Sequence, residues 1–92
     1  MESSPAVFDW DEANIRHLAR HAVSPKEAEQ CYRNDPLVIE EHYIESELRY
    51  LALGETDAAR RLAFVFTIRK GRIRFVTAYP MTSQQQEIYD EG

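Results

Sequence analysis

The sequence predicts an α+β domain with two N-terminal helices, a mostly antiparallel four-stranded sheet and a short C-terminal helix. Two helix-start signatures lie between Asp9 and Glu27, apolar runs suited to strands follow between Leu37 and Tyr79, and a third start signature sits at Thr82. At 92 residues, with no internal repeat and no linker, the chain reads as one domain spanning residues 1–92.

Asp9-Trp10-Asp11-Glu12 offers carboxylates that can accept the free N–H groups of a first helical turn. Ile15, Leu18, Ala19 and Ala22 recur at i, i+3, i+4 and i+7, which predicts the buried stripe of that helix, and His17 and His21, four apart, share a face. Ser24-Pro25-Lys26-Glu27 predicts a second helix, with a Ser cap, Pro at the first helical position and a Glu to close the capping box. Ala28, Cys31 and Tyr32 form its apolar face, and Asn34-Asp35-Pro36 ends it. Leu37–Glu40 predicts a short strand, followed by a polar loop to about Glu47. Leu48–Gly54, Leu62–Ile68 and Ile73–Tyr79 are the remaining strands, with a turn region over Glu55–Ala59. Thr82-Ser83-Gln84-Gln85 opens the closing helix, which carries Ile88 and Tyr89.

Arg69-Lys70-Gly71-Arg72 predicts a two-residue hairpin loop at Lys70-Gly71. Arg69 then faces Arg72, Ile68 faces Ile73, Thr67 faces Arg74 and Phe66 faces Phe75. Alternation places Phe64, Phe66, Ile68, Ile73 and Phe75 on a core face, and Thr67, Arg69, Arg72 and Arg74 on the other. A one-residue slip would bury the arginines, which the cost of desolvating unpaired charge forbids. The same parity puts Tyr79 on the core face unless a bulge near Pro80 turns it outward.

A composition of 43% hydrophobic and 29% charged residues, with three Gly and four Pro, excludes a disordered tail or collagen-like chain. No apolar stretch approaches a membrane span, and Met1-Glu2-Ser3-Ser4-Pro5 does not resemble a signal peptide, so a cytoplasmic location is expected. The single cysteine, Cys31, excludes an intrachain disulfide or multi-cysteine metal site and reads as core. Without such a staple, a partner subunit is expected for a domain this small. The net charge of −5 is unevenly spread. Residues 1–59 carry five Lys/Arg against thirteen Asp/Glu, whereas residues 60–74 carry six Lys/Arg and no acid. Such a band is either an anion-binding footprint or a solvated sheet face.

Arginines sharing a face match phosphate, because each guanidinium offers planar paired donors and stays charged; they could equally pair with the acidic half of the chain. His17 and His21 lack an HExxH pattern and a third ligand, so neither a metal site nor a cofactor is expected. Histidine as a residue type titrates near pH 6.5, which makes His21, at the end of the apolar stripe, the best candidate general acid or base. His42 lies in the predicted polar loop without an evident partner, and Ser24 is accounted for by capping. There is no glycine-rich phosphate loop and no dinucleotide fingerprint.

Taken in order, Phe8-Asp9-Trp10-Asp11-Glu12-Ala13, Arg20-His21, Val23-Ser24, Arg49-Tyr50-Leu51-Ala52-Leu53-Gly54, Arg72-Ile73-Arg74-Phe75-Val76-Thr77-Ala78 and Glu87-Ile88-Tyr89 resemble the BrnT family of ribonuclease toxins from type II toxin–antitoxin systems. The family's motifs are F-x-W-D-x-x-K, K-H-G-V-S, R-Y-x-x-x-G and R-I-R-x-I-S-A-R, followed by a basic helix. The resemblance implies a RelE-like fold, metal-independent RNA cleavage, and a BrnA-like antitoxin that binds toxin and operator DNA together. A homodimer or a heterotetramer with the antitoxin is the corresponding assembly. Residue by residue, it implies His21, Arg72 and Arg74 as catalytic groups and Arg20 as a further RNA- or phosphate-binding cation; the hairpin face adds Arg69 as a phosphate-binding group, and Tyr79 can stack a base or hydrogen-bond a phosphate. Tyr79 stands where the family has an arginine, Gln85 and Gln86 where its terminal helix is charged, and Ala22 where it has glycine. These departures leave a second reading open: an interaction module or co-repressor that binds the antitoxin and cleaves weakly or not at all.

Overall fold

The computed structural model describes residues 6–92. Its elements are helix α1 (Glu12–Ala19), helix α2 (Pro25–Arg33), strands β1 (Leu37–Ile44), β2 (Glu47–Glu55), β3 (Arg61–Arg69) and β4 (Arg72–Pro80), and helix α3 (Ser83–Glu91). The four strands form an antiparallel meander in sequence order. The architecture is the expected α+β one. No described helix is long and apolar enough to cross a membrane.

Each helix starts on a reciprocal cap. Asp11 accepts from the Asn14 N–H at 3.1 Å while Asn14 Oδ1 accepts from the Asp11 N–H at 2.8 Å. Ser24 pairs with Glu27, and Thr82 with Gln85, in the same way. Asn14 also donates from Nδ2 to the Asp9 carbonyl (2.9 Å) and, across the fold, to the Phe75 carbonyl on β4 (3.2 Å). This polar side chain is buried because all of its hydrogen-bonding groups are used. The predicted stripe is corrected accordingly. α1 buries Asn14 and Leu18, while Ile15, Ala19 and Ala22 are exposed.

The helix also ends earlier than the stripe implied. Arg20, His21 and Ala22 form a turn in which the Val23 N–H bonds the Leu18 carbonyl (3.2 Å) and the Ala22 N–H bonds the Ala19 carbonyl (3.0 Å), a Schellman closure. Ala22 takes the left-handed position of that motif at φ 56°. His21 therefore lies in a turn and does not share a helical face with His17.

The predicted polar loop over residues 41–47 is instead a hairpin. Glu45 and Ser46 have φ of 50° and 73°, the signature of a tight type I′ turn, and the strands run up to it from both sides. Two non-glycine residues in left-handed geometry concealed the turn. His42 consequently lies on β1 and does have a partner, with Nε2 2.8 Å from Glu40 Oε1. The β3–β4 hairpin turns at Lys70-Gly71 in the predicted register, Arg69 opposite Arg72 through Phe66 opposite Phe75. Beyond Phe75 the register shifts, so that Val65 faces Thr77 and Val76 is the extra residue of a β-bulge. The bulge lies at Val76, not near Pro80, and it moves Tyr79 off the core face.

The sheet has two unlike faces. One is covered by α1 and α2 and holds the main core, with Leu18, Cys31, Phe64 and Phe75 fully buried. Phe75 stacks on Trp10 (ring centroids 5.3 Å) and Phe8 (5.8 Å) and meets Phe64 (5.7 Å). Gly54, which closes the R-Y-x-x-x-G motif, permits this packing: a Cβ there would come within 3.1 Å of the Cys31 carbonyl oxygen on α2. Ile68, assigned to the core by alternation, is 51% exposed because it lies at the turn end of β3. The other face carries a smaller cluster of Leu53, Ala63 and Met81, against which Tyr79 and Tyr89 pack. The rest of that face is uncovered.

Candidate functional site: an arginine-lined cleft on the open sheet face

Register brings the charged residues together. Arg49 on β2, Thr67 on β3 and Arg74 on β4 lie side by side, and Arg69 faces Arg72 one step nearer the turn. Thr67, expected beside the arginines on an open surface, is instead buried and donates to the Leu48 carbonyl at 2.7 Å. α1 packs along β4, held there by the Asn14–Phe75 bond, and His17 lies one turn beyond Asn14. His17, Arg49, Arg69 and Arg74 thereby line one cleft of about 200 Å³.

The arginines are held by carboxylates from distant parts of the chain. Glu47 bridges two of them, accepting from Arg49 Nε at 2.9 Å and from Arg69 Nε and Nη2 at 2.9 and 2.8 Å. Arg49, followed by Arg69, holds the Glu47 carboxyl below its ordinary range. Arg74 pairs with Asp11 at 3.0 Å and Asp9 at 3.7 Å, and the Asn14 backbone N–H, followed by Arg74, lowers the Asp11 carboxyl. Arg60 and Arg61, at the other end of the basic band, pair with Glu27 and with Glu55 and Asp90. The band is therefore largely neutralised within the chain. Among the described residues, only Lys70 and Arg72 of the six cations in it make no ion pair. Exposed pairs of this kind, such as Arg69 with Glu47, contribute little stability.

The residues singled out from sequence separate into groups. Arg69 and Arg74 line the cleft. Arg72 is exposed in an adjoining depression with Arg69, Lys70 and Asp9. His21 is exposed with its ring 6.1 Å from that of Tyr79, at the α3 end of the face. Arg20 is the exposed C-cap of α1. Tyr79 accepts a hydrogen bond from Gln85 Nε2 at 3.1 Å, so two of the departures from the family pattern form one contact. Sequence reasoning missed His17 and Arg49 as members of the site. Pairing the β2 and β3 patterns would have found Arg49, and the Asn14–His17–Leu18 spacing would have found His17. Among the described residues, no group of three or more His, Cys, Asp or Glu side chains is placed to hold a metal ion.

Chemically, guanidinium groups and an imidazole sharing one cleft offer paired donors for a phosphodiester and a candidate acid–base group. A search of curated proteins finds no match to this chain. The sequence profile of one family, described as ribonuclease toxin, BrnT, of type II toxin-antitoxin system, matches residues 10–85, from Trp10 ahead of α1 to Gln85 on α3. That span contains His17 and every cleft arginine, and it covers most of the chain, so the protein belongs to the BrnT family of type II toxin–antitoxin ribonuclease toxins.

Proposed function

We propose that this chain is a metal-independent endoribonuclease toxin whose arginine cleft binds the scissile phosphodiester, and that a BrnA-like DNA-binding antitoxin neutralises it by covering the open face. The family implies an antitoxin partner and RNA targets. The observation that carries the reading is the convergence of His17 with Arg49, Arg69 and Arg74 in one cleft.

His17 takes the proton of the RNA 2′-OH. The 2′-oxygen then attacks the adjacent phosphorus, forming the 2′-O–P bond of a cyclic phosphate, while the P–O5′ bond breaks. His21, in the turn that follows α1, protonates the departing 5′-oxygen. Arg49, Arg69 and Arg74 hold the charge that builds on the phosphorane oxygens. Arg72, Lys70 and Arg20 receive flanking phosphates, and Tyr79 receives a base. The cleft arginines would displace counterions from the RNA phosphates they contact, so binding should fall as salt rises. Operator DNA is bound through the antitoxin, in a toxin–antitoxin heterotetramer.

Inducing the chain without its partner should arrest growth and deplete mRNA, and Arg69→Ala/Arg74→Ala should relieve both. Normal growth with intact RNA at high expression would overturn this reading. It would favour the second one, an antitoxin-binding module or co-repressor, which draws its support from the carboxylates already pairing with the cleft arginines.

A further inference from the structure

Beside the arginine cleft runs a second depression of about 290 Å³, and Arg49 and Val76 line both. Its floor is apolar, formed by Leu51 on β2 and Val65 on β3, with Val76 and Tyr79 from β4 on one side. Across the floor, on β1, stand Glu40 and His42, hydrogen-bonded to each other at 2.8 Å. A tight turn and a β-bulge build this arrangement. The Glu45-Ser46 turn sets the register that brings Glu40 opposite Leu51 and His42 opposite Arg49 on the open face. The β4 bulge at Val76 brings Tyr79 to the same face. Removing the extra residue of β4 would turn Tyr79 toward the helices, because side chains alternate along a strand. Bulges recur next to functional sites because they re-aim side chains in this way.

We propose that this groove is a nucleobase subsite, which receives the base of the nucleotide whose phosphate occupies the arginine cleft, and that it favours guanine. The proposal rests on the phosphate-binding reading of the cleft. A base has apolar flat faces and a polar edge, and the groove has an apolar floor, an aromatic wall and a polar rim in the same relation. Arg49 and Val76, common to both depressions, make the path from phosphate to base continuous. The rim selects the edge. A carboxylate only accepts hydrogen bonds, and guanine presents adjacent N1–H and N2–H donors to it. Uracil presents one N–H between two carbonyl oxygens, which the carboxylate repels. An apolar segment of a protein partner would leave the Glu40–His42 pair without a role in recognition.

The test is an NMR titration of the full chain with guanosine and uridine 3′- and 5′-monophosphates, ribose 5-phosphate and inorganic phosphate. Guanosine monophosphate should bind about ten-fold more tightly than ribose 5-phosphate, as base stacking ordinarily adds. It should also bind more tightly than uridine monophosphate and shift the resonances of Leu51, Val65 and Tyr79. Leu51→Asn should remove the advantage of guanosine over ribose 5-phosphate while leaving ribose 5-phosphate affinity unchanged. Ile44→Asn, at a lining residue that is 47% exposed, should reduce it. Glu40→Gln should narrow the gap between guanosine and uridine. If ribose 5-phosphate binds as tightly as the nucleotides, the base subsite is overturned while the arginine cleft stands, and the groove is left to a protein partner. If uridine binds as well as guanosine, the role of Glu40 is overturned. If none of the probes binds, inorganic phosphate included, the phosphate-binding reading falls and the subsite with it.

Discussion

The two faces of the sheet follow different rules. The helix-covered face closes on itself: Phe64, Phe75 and Leu18 are fully buried, and the polar side chain admitted there, Asn14, has each hydrogen-bonding group satisfied. On the open face, Arg49, Arg69 and Arg74 are held by carboxylates. The first face accounts for stability, and the second is the proposed recognition surface. α1 belongs to both, because Asn14 and Leu18 anchor it in the core and His17 is carried into the cleft as a result.

The sharpest way to break this division is to delete one ring from the covered face. Phe75→Ala should destabilise the fold by about 3–5 kcal/mol in urea unfolding, the usual range for a buried aromatic. Arg72→Ala, on the open face and exposed, should stay within about 0.5 kcal/mol. Equal losses would mean that the open face is structural. Asn14→Ala, at the junction, should cost about 1–3 kcal/mol through the lost cap and the unsatisfied Phe75 carbonyl. It should also slow RNA cleavage by loosening the seat of His17. A stability loss with an unchanged rate would detach α1 from the site.

A smaller effect concerns Ala22, which occupies a left-handed position that glycine takes without steric penalty. Ala22→Gly should therefore stabilise the chain by about 1 kcal/mol. An unchanged or lower midpoint would mean that the turn is not strained. Acidification should produce the most gradual change. The Asp11, Glu27 and Glu47 carboxyls are all held below their ordinary values in the folded chain. Their contribution is complete above the unfolded carboxylate range near pH 4 and is lost as pH falls through the lower folded values. Unfolding midpoints should therefore decline below about pH 4, and Glu47→Gln should flatten that decline. A midpoint insensitive to acid would contradict the ion-pair geometry.

Much of the covered face was legible in the residues. Ser24, Glu27, Thr82 and Gln85 cap their helices as their spacing predicts, and the Lys70-Gly71 turn sets the β3–β4 register. What escaped were the points where backbone geometry departs from residue type. Glu45-Ser46 turns a hairpin without glycine, and the extra residues in β1 and β4 invert the parity that assigns side chains to faces. Alternation alone could not place Tyr79 or Glu40, because one inserted residue exchanges the faces of all that follow. The site was half legible. Arg69 and Arg74 follow from the hairpin, but the carboxylates that hold them come from Asp9, Asp11 and Glu47, and the Arg74 partners lie at the opposite end of the chain. His21 stood out through its family motif, whereas His17 enters the cleft only through the tertiary anchoring of Asn14.

The central claim is that His17 and the cleft arginines perform chemistry while the covered core carries most of the stability, and His17 tests it most directly because it is exposed yet lines the arginine cleft. The measurement is the single-turnover cleavage rate of end-labelled RNA by wild type and His17→Ala in EDTA, with the unfolding free energy of each protein determined alongside. His17→Ala should lose about 100-fold or more in rate while its stability stays within about 0.5 kcal/mol of wild type. A His17→Ala protein that cleaves RNA at the wild-type rate would contradict the account.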